Sequence, residues 1–128
     1  MIAPRPSSLA EVAQRSQTER QFSYELADFL HEFERAGNVR MLEAEPELLD
    51  GRMPEGAVFD AYLAAVAVAL AHRMGERAPA WTGQPCRFLH QPWFASPGRH
   101  MRALLLMESP AAFRERNLFV TANAMSVA

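Results

Sequence analysis

His31-Glu32-Phe33-Glu34-Arg35 begins as a zinc hydrolase helix does, with a histidine followed at once by a glutamate. The H-E-x-x-H pattern needs a second histidine four residues after the first, so that both imidazoles leave one helix face toward the metal. Position 35 is Arg, so the second ligand is missing and the reading fails there. Cys86 and His90 stand four apart, with His100 as a distant third candidate. A structural zinc takes four ligands, and no fourth accompanies these three among the prolines of that stretch. A half-exposed histidine and a buried thiol are expected instead, with no metal and no other cofactor.

Nucleophilic chemistry finds no better footing. Cys86 has no His-Asp pattern beside it, no serine sits in a G-x-S-x-G elbow, and no Gly-rich loop follows a strand. Glu43, Glu45 and Glu47 bring three carboxylates together. They stand in a polar, solvated stretch, where nothing desolvates a carboxyl enough to raise its pKa for general acid work. A non-enzymatic role is the expectation.

The remaining chemistry is ionic. All thirteen basic residues are arginine, whose planar fork suits bidentate contact with carboxylate or phosphate. The net charge of -2 conceals an asymmetry, because residues 1–60 hold twelve acids and six arginines while residues 61–128 hold three acids and seven arginines. These halves can attract each other within the fold, or the basic half can face an acidic partner or phosphate. Arg99, Arg102, Arg114 and Arg116 cluster near the C-terminus around a turn at 108–110, which permits a helix-turn-helix reading. Against nucleic acid stand a sequence pI of about 6.1, the absence of lysine, and a helix after Pro110 barely two turns long.

Two short segments carry interface-type residues. In FLHQPWFASPG, residues 88–98, the side chains of Phe88, Leu89, Trp93 and Phe94 either plug the core or leave Trp93 and Phe94 partly exposed as anchors beside Arg102 and Arg114. In FRERN, Phe113 is expected to pack, together with Leu118 just beyond. Arg114, Arg116 and Asn117 are expected to point outward, as a solvated turn or a docking corner.

The elements that position these groups are helical nearly throughout. Ser8 and Glu11 have capping-box spacing, as do Thr18 and Gln21. Phe22, Leu26, Phe29, Leu30 and Phe33 fall on one helix face, and Gly37 is a natural stop. The pattern predicts one helix over about 9–36, or two with a break near Ser16 to Thr18. Asn38 caps a short helix over VRMLEAE that Pro46 closes. Pro54 then leads into AVFDAYLAAVAVALAHRMG, apolar over so wide an arc that the helix is expected to be central, with Gly75 ending it. Short helical turns are expected within Gln84 to Leu89. Ser96-Pro97 and Ser109-Pro110 read as N-cap followed by N1. The first opens a helix with Met101, Leu104 and Leu105 on a shared face, and the second opens AAFRERN. Residues 118–121 allow an extended segment, and Thr121 can cap a last turn.

The chain is therefore expected to be all-α. It should form a compact single-domain bundle of about five to seven helices over 1–128, several of them short, with an irregular Pro/Trp-rich connection and residues 1–7 disordered. A single cysteine, an N-terminus without an apolar signal core, and a longest apolar run of Ala61 to Ala71, short of the roughly 18–20 residues a spanning helix needs, point to a cytoplasmic protein with no membrane partner.

RFLHQPWFAS, followed by MRALLLMESPAAFRERNLFVTANAMS, resembles the carboxy-terminal signature of small bacterial proteins encoded beside AbiEii-like nucleotidyltransferases in toxin–antitoxin modules. The likeness covers about residues 20–126 and is strongest from Arg87 onward. It implies an antitoxin that binds the cognate nucleotidyltransferase toxin and neutralises it. The front of the chain departs from antitoxins that repress their own operon, since it carries no recognisable DNA-binding domain. Two docking modes suit the resemblance. An acidic face of Glu25, Asp28, Glu32 and Glu34 can cover a basic entrance on the toxin, or the corner of Arg114, Arg116 and Asn117, with Trp93, Phe94 and Arg102 nearby, can engage carboxylates. A nucleic-acid-binding transcriptional regulator is the alternative.

Overall fold

The first helical stretch divides in two. In the computed structural model, which describes residues 4–95 and 98–125 apart from the side chains of Arg99 and His100, α1 spans Leu9–Arg15 and α2 spans Glu19–Ala36. Ser16 ends α1 in extended backbone while its hydroxyl donates to the Val12 carbonyl at 2.7 Å. Both capping residues accept as their spacing predicts, Ser8 Oγ from the Glu11 N–H and Thr18 Oγ1 from the Gln21 N–H, each at 3.1 Å. The reciprocal bonds fall one residue earlier than in a standard box. Glu11 accepts from the Ser7 hydroxyl and Gln21 from the Gln17 N–H. Of the stretch 1–7 expected to be disordered, Met1 to Ala3 lie outside the described residues, while Pro6 is buried and the Pro4 carbonyl accepts a 2.7 Å bond from Arg15.

Gly37 closes α2 in the left-handed region at φ 59°, as the sequence suggests. Asn38 then caps only a 3-10 turn over Val39–Leu42, which ends well before Pro46. The next helix, α3, runs Gly56–Arg73 and starts after Pro54 rather than with it. Its first residue explains why. A Cβ on Gly56 would lie 2.0 Å from the Leu49 carbonyl oxygen, so helix and loop touch backbone to backbone, and the chain enters through Glu55 at φ 59°. One turn along, Asp60 accepts the N–H groups of Leu49 (2.6 Å) and Asp50 (3.0 Å) and holds that loop against α3.

α3 is central, as its all-round apolar sequence predicts, with Leu63 through Ala67 wholly buried. By length and composition α3 is apolar enough to cross a membrane, yet 72% of that window is buried inside the protein, which is how a core helix looks. Two 3-10 turns at Ala80–Gly83 and Pro85–Arg87 and α5 over Ala111–Arg114 pack on it, α2 meets it through Phe22 on Phe59, α1 packs on α2, and α4 over Arg99–Glu108 packs on residues 118–119. The described fold is thus mostly helical, with five α-helices.

The departure from an all-helical chain is a two-stranded parallel pair, β1 (Trp93–Phe94) against β2 (Leu118–Phe119). The extended segment expected at 118–121 is therefore present at its first two residues. Ser109 corrects the expected N-cap. Its hydroxyl lies 2.5 Å from the Leu105 carbonyl and accepts the Val120 N–H at 2.8 Å, joining the end of α4 to the end of β2 instead of capping α5. Ser96 and Pro97, the other expected cap, lie outside the described residues.

Candidate functional site

The sequence places a docking corner at Arg114, Arg116 and Asn117, and the fold takes it apart. Arg116 is 3% exposed. Its two terminal nitrogens donate to the carbonyls of Thr82 (2.8 Å) and Ala112 (3.1 Å), and its guanidinium lies 4.4 Å over the Phe88 ring. Burial pushes its pKa down, against a smaller upward pull from the Glu115 carboxylate 3.8 Å away. Asn117, half-buried at φ 62°, donates from its side chain to the Leu89 carbonyl, while its own carbonyl accepts from Trp93. Asn117 thus ties β1 to the start of β2, while Arg116 ties the end of α5 to the 3-10 turn at Ala80–Gly83. Only Arg114 of the three is free at the surface.

A second buried arginine has no counterpart in the sequence reading. Arg87 is wholly buried, donates to the Pro46 carbonyl at 2.6 Å, stacks 4.8 Å over Trp81, and stands 3.8 Å from Asp60. Trp81 in turn donates its indole N–H to the Leu42 carbonyl. Asp60 is 1% exposed, and burial raises its pKa against the opposing influence of two N–H donors and Arg87. The available signal was Asp60 itself, the one charge within the apolar run 57–71, since an acid there must find a partner. This pair joins the acidic and basic halves in the interior, and Glu45, half-exposed, stands 4.0 Å from Arg87 at its outer edge.

Elsewhere the expected burial is reversed. Cys86 is exposed rather than buried, and His90 is exposed too; the His100 side chain lies outside the described residues. On α4 the apolar stripe is not a core face. Leu105 alone of the expected trio is buried, while Met101 and Leu104 are exposed, and so are Leu106 (48%) and Met107 (81%). Exposed Arg102 lies 4.9 Å over Phe94, which stacks on Phe119, so that half of the aromatic segment is sheltered under α4.

The acids of α2 form a ribbon. Steps of three and four put Glu25, Asp28 and Glu32 on one side of the helix. Glu25 is half-buried and paired with Arg15 at 3.5 Å, and Glu32 is paired with Arg35, which holds its pKa below the usual value. Asp28 and Glu34 are exposed. On the other side of α2, a groove of about 440 Å³ opens between that helix and the sheet. Leu26, Leu30, Val120 and Trp93 line it, Glu19 and His31 stand on its α2 wall, and Tyr62 reaches it from α3 with a pKa raised by burial.

The structure therefore separates the expected site residues into buried (Arg116), half-buried and bonded to Leu89 and Trp93 (Asn117), sheltered (Phe94), groove-lining (Trp93), acidic ribbon (Glu25, Asp28, Glu32) and exposed cations (Arg102, Arg114). Set against protein-family models, curated proteins and solved structures, the chain matches none.

Proposed function

We propose that this chain is a non-enzymatic binding protein that docks a partner protein on the outer face of α4. One observation carries the reading: Leu104, Leu106 and Met107 are all substantially exposed on a ten-residue helix that buries Leu105. An apolar helix face left in water is costly in a monomer and marks an interaction surface. Arg102 and Arg114 flank it in sequence, and exposed arginine beside large apolar side chains is the composition of binding hot spots. The partner surface that fits is apolar at its centre and acidic at its rim.

The more specific form of the proposal is a cytoplasmic antitoxin for a nucleotidyltransferase toxin. It is supported by the resemblance of residues 87–126, which include all of α4. Co-expression with the product of the adjacent gene, which the antitoxin reading requires to be a nucleotidyltransferase, followed by size-exclusion chromatography, tests both forms. One peak is expected for the parent chain, and separate peaks for a Leu104→Asp, Met107→Asp variant with an unchanged circular dichroism spectrum. Separate peaks for the parent at micromolar concentration would end the antitoxin reading. A variant that still co-elutes would move the interface away from α4.

A further inference from the structure

The groove between α2 and the sheet has chemistry of its own, and none of the residues lining it belongs to α4. Its volume of about 440 Å³ falls within the range of small-molecule sites, on the order of 300–1,000 Å³. At one end stands Glu19, the single carboxylate on the lining, with no arginine beside it there and, among the described residues, no ion-pair partner. Half-buried Tyr62 and Trp93 present ring surface to the groove, and behind them Phe22, 3% exposed, packs on Phe59 at 4.6 Å and edge-on to Tyr62 at 6.1 Å. A carboxylate set against several aromatic rings is the chemistry that attracts an ammonium ion, through charge and through the negative ring faces together.

We propose that this groove binds an organic ammonium compound with an apolar body. The ammonium group pairs with Glu19 and faces the accessible rings of Tyr62 and Trp93, and the apolar body lies along α2 toward His31. At 1.5 Å per residue that path is roughly 18 Å long, so a ring or short chain carried behind the amine stays within the groove and displaces water from its apolar walls. An anionic ligand of the same shape meets Glu19 with like charge and gains nothing from the ring faces.

Phenylbutylammonium, phenylbutanol and phenylbutanoate form a probe series of one shape and three charges. Trp93 reports on binding by fluorescence, because the other tryptophan, Trp81, is buried away from the groove with its N–H bonded. The amine is expected to bind at least about tenfold more tightly than the alcohol, and the carboxylate most weakly. Glu19→Gln should abolish the difference between amine and alcohol. Ala27→Phe, an exposed lining position, should weaken all three probes about tenfold or more by filling the groove, without lowering the melting temperature. Equal binding of the three probes, a preference for the alcohol or carboxylate, or no binding at millimolar concentration would overturn the proposal. None of these results bears on the α4 interface.

Discussion

Replacing Asp60 by asparagine should destabilise the fold by about 3–5 kcal/mol, the range for removing one member of a buried ion pair. The components come from the geometry. At 3.8 Å, with an effective dielectric constant of about 20, the attraction between Asp60 and Arg87 is about 4 kcal/mol. Asparagine also keeps only one oxygen for the two N–H groups of Leu49 and Asp50, which forfeits a charge-assisted bond worth about 1.5–3 kcal/mol. Relaxation and water entry offset part of that sum. Arg87 is then left buried with Glu45, half-exposed and 4.0 Å away, as its nearest acid. Arg87→Met removes the stranded cation, so the double variant should be less damaged than the two single effects added, by a coupling of about 2–4 kcal/mol. Urea unfolding of the four proteins measures this, followed by circular dichroism because Arg87 lies on Trp81 and would shift a fluorescence baseline. Single effects that add to within about 0.5 kcal/mol would refute the claim that these charges hold each other in the interior.

Gly56→Ala is expected to lose at least about 2 kcal/mol, since its methyl would meet the Leu49 carbonyl at 2.0 Å, whereas Gly83→Ala, with nothing within 4 Å, should stay within about 0.5 kcal/mol of the parent. Similar melting temperatures for the two would show that the 49–56 loop yields. Arg116→Met keeps most of the volume and removes the desolvated cation but leaves the carbonyls of Thr82 and Ala112 without a donor, so it should lose about 1–3 kcal/mol, and Arg116→Ala, which orphans the same carbonyls and adds a void, should lose about 2 kcal/mol more. Equal losses in chemical denaturation would mean that the site needs the charge and not the volume.

The helix ends were legible because each is decided within a few residues. Ser8, Thr18 and Asn38 accept from N–H groups two or three positions on, and Gly37 and Gly75 take left-handed backbone that a side chain disfavours. Phe22 through Phe33 announced their buried face by spacing alone, and α3 its central place by having no polar side to offer. The candidate site was less legible. Met101, Leu104 and Leu105 share a helical pattern whether they face a core or a partner, and the choice was made by the sheet, which covers α4 on the side of Leu105 and leaves the rest in water. Arg116 reads as a surface charge until the Thr82 carbonyl, 34 residues away, and the Phe88 ring arrive to accept it; Arg87 likewise depends on Pro46, 41 residues away. Spacing along a chain records how a segment folds on itself. Whether a charge or an apolar stripe ends inside or outside depends on what distant segments bring to it, and only their packing together supplies that.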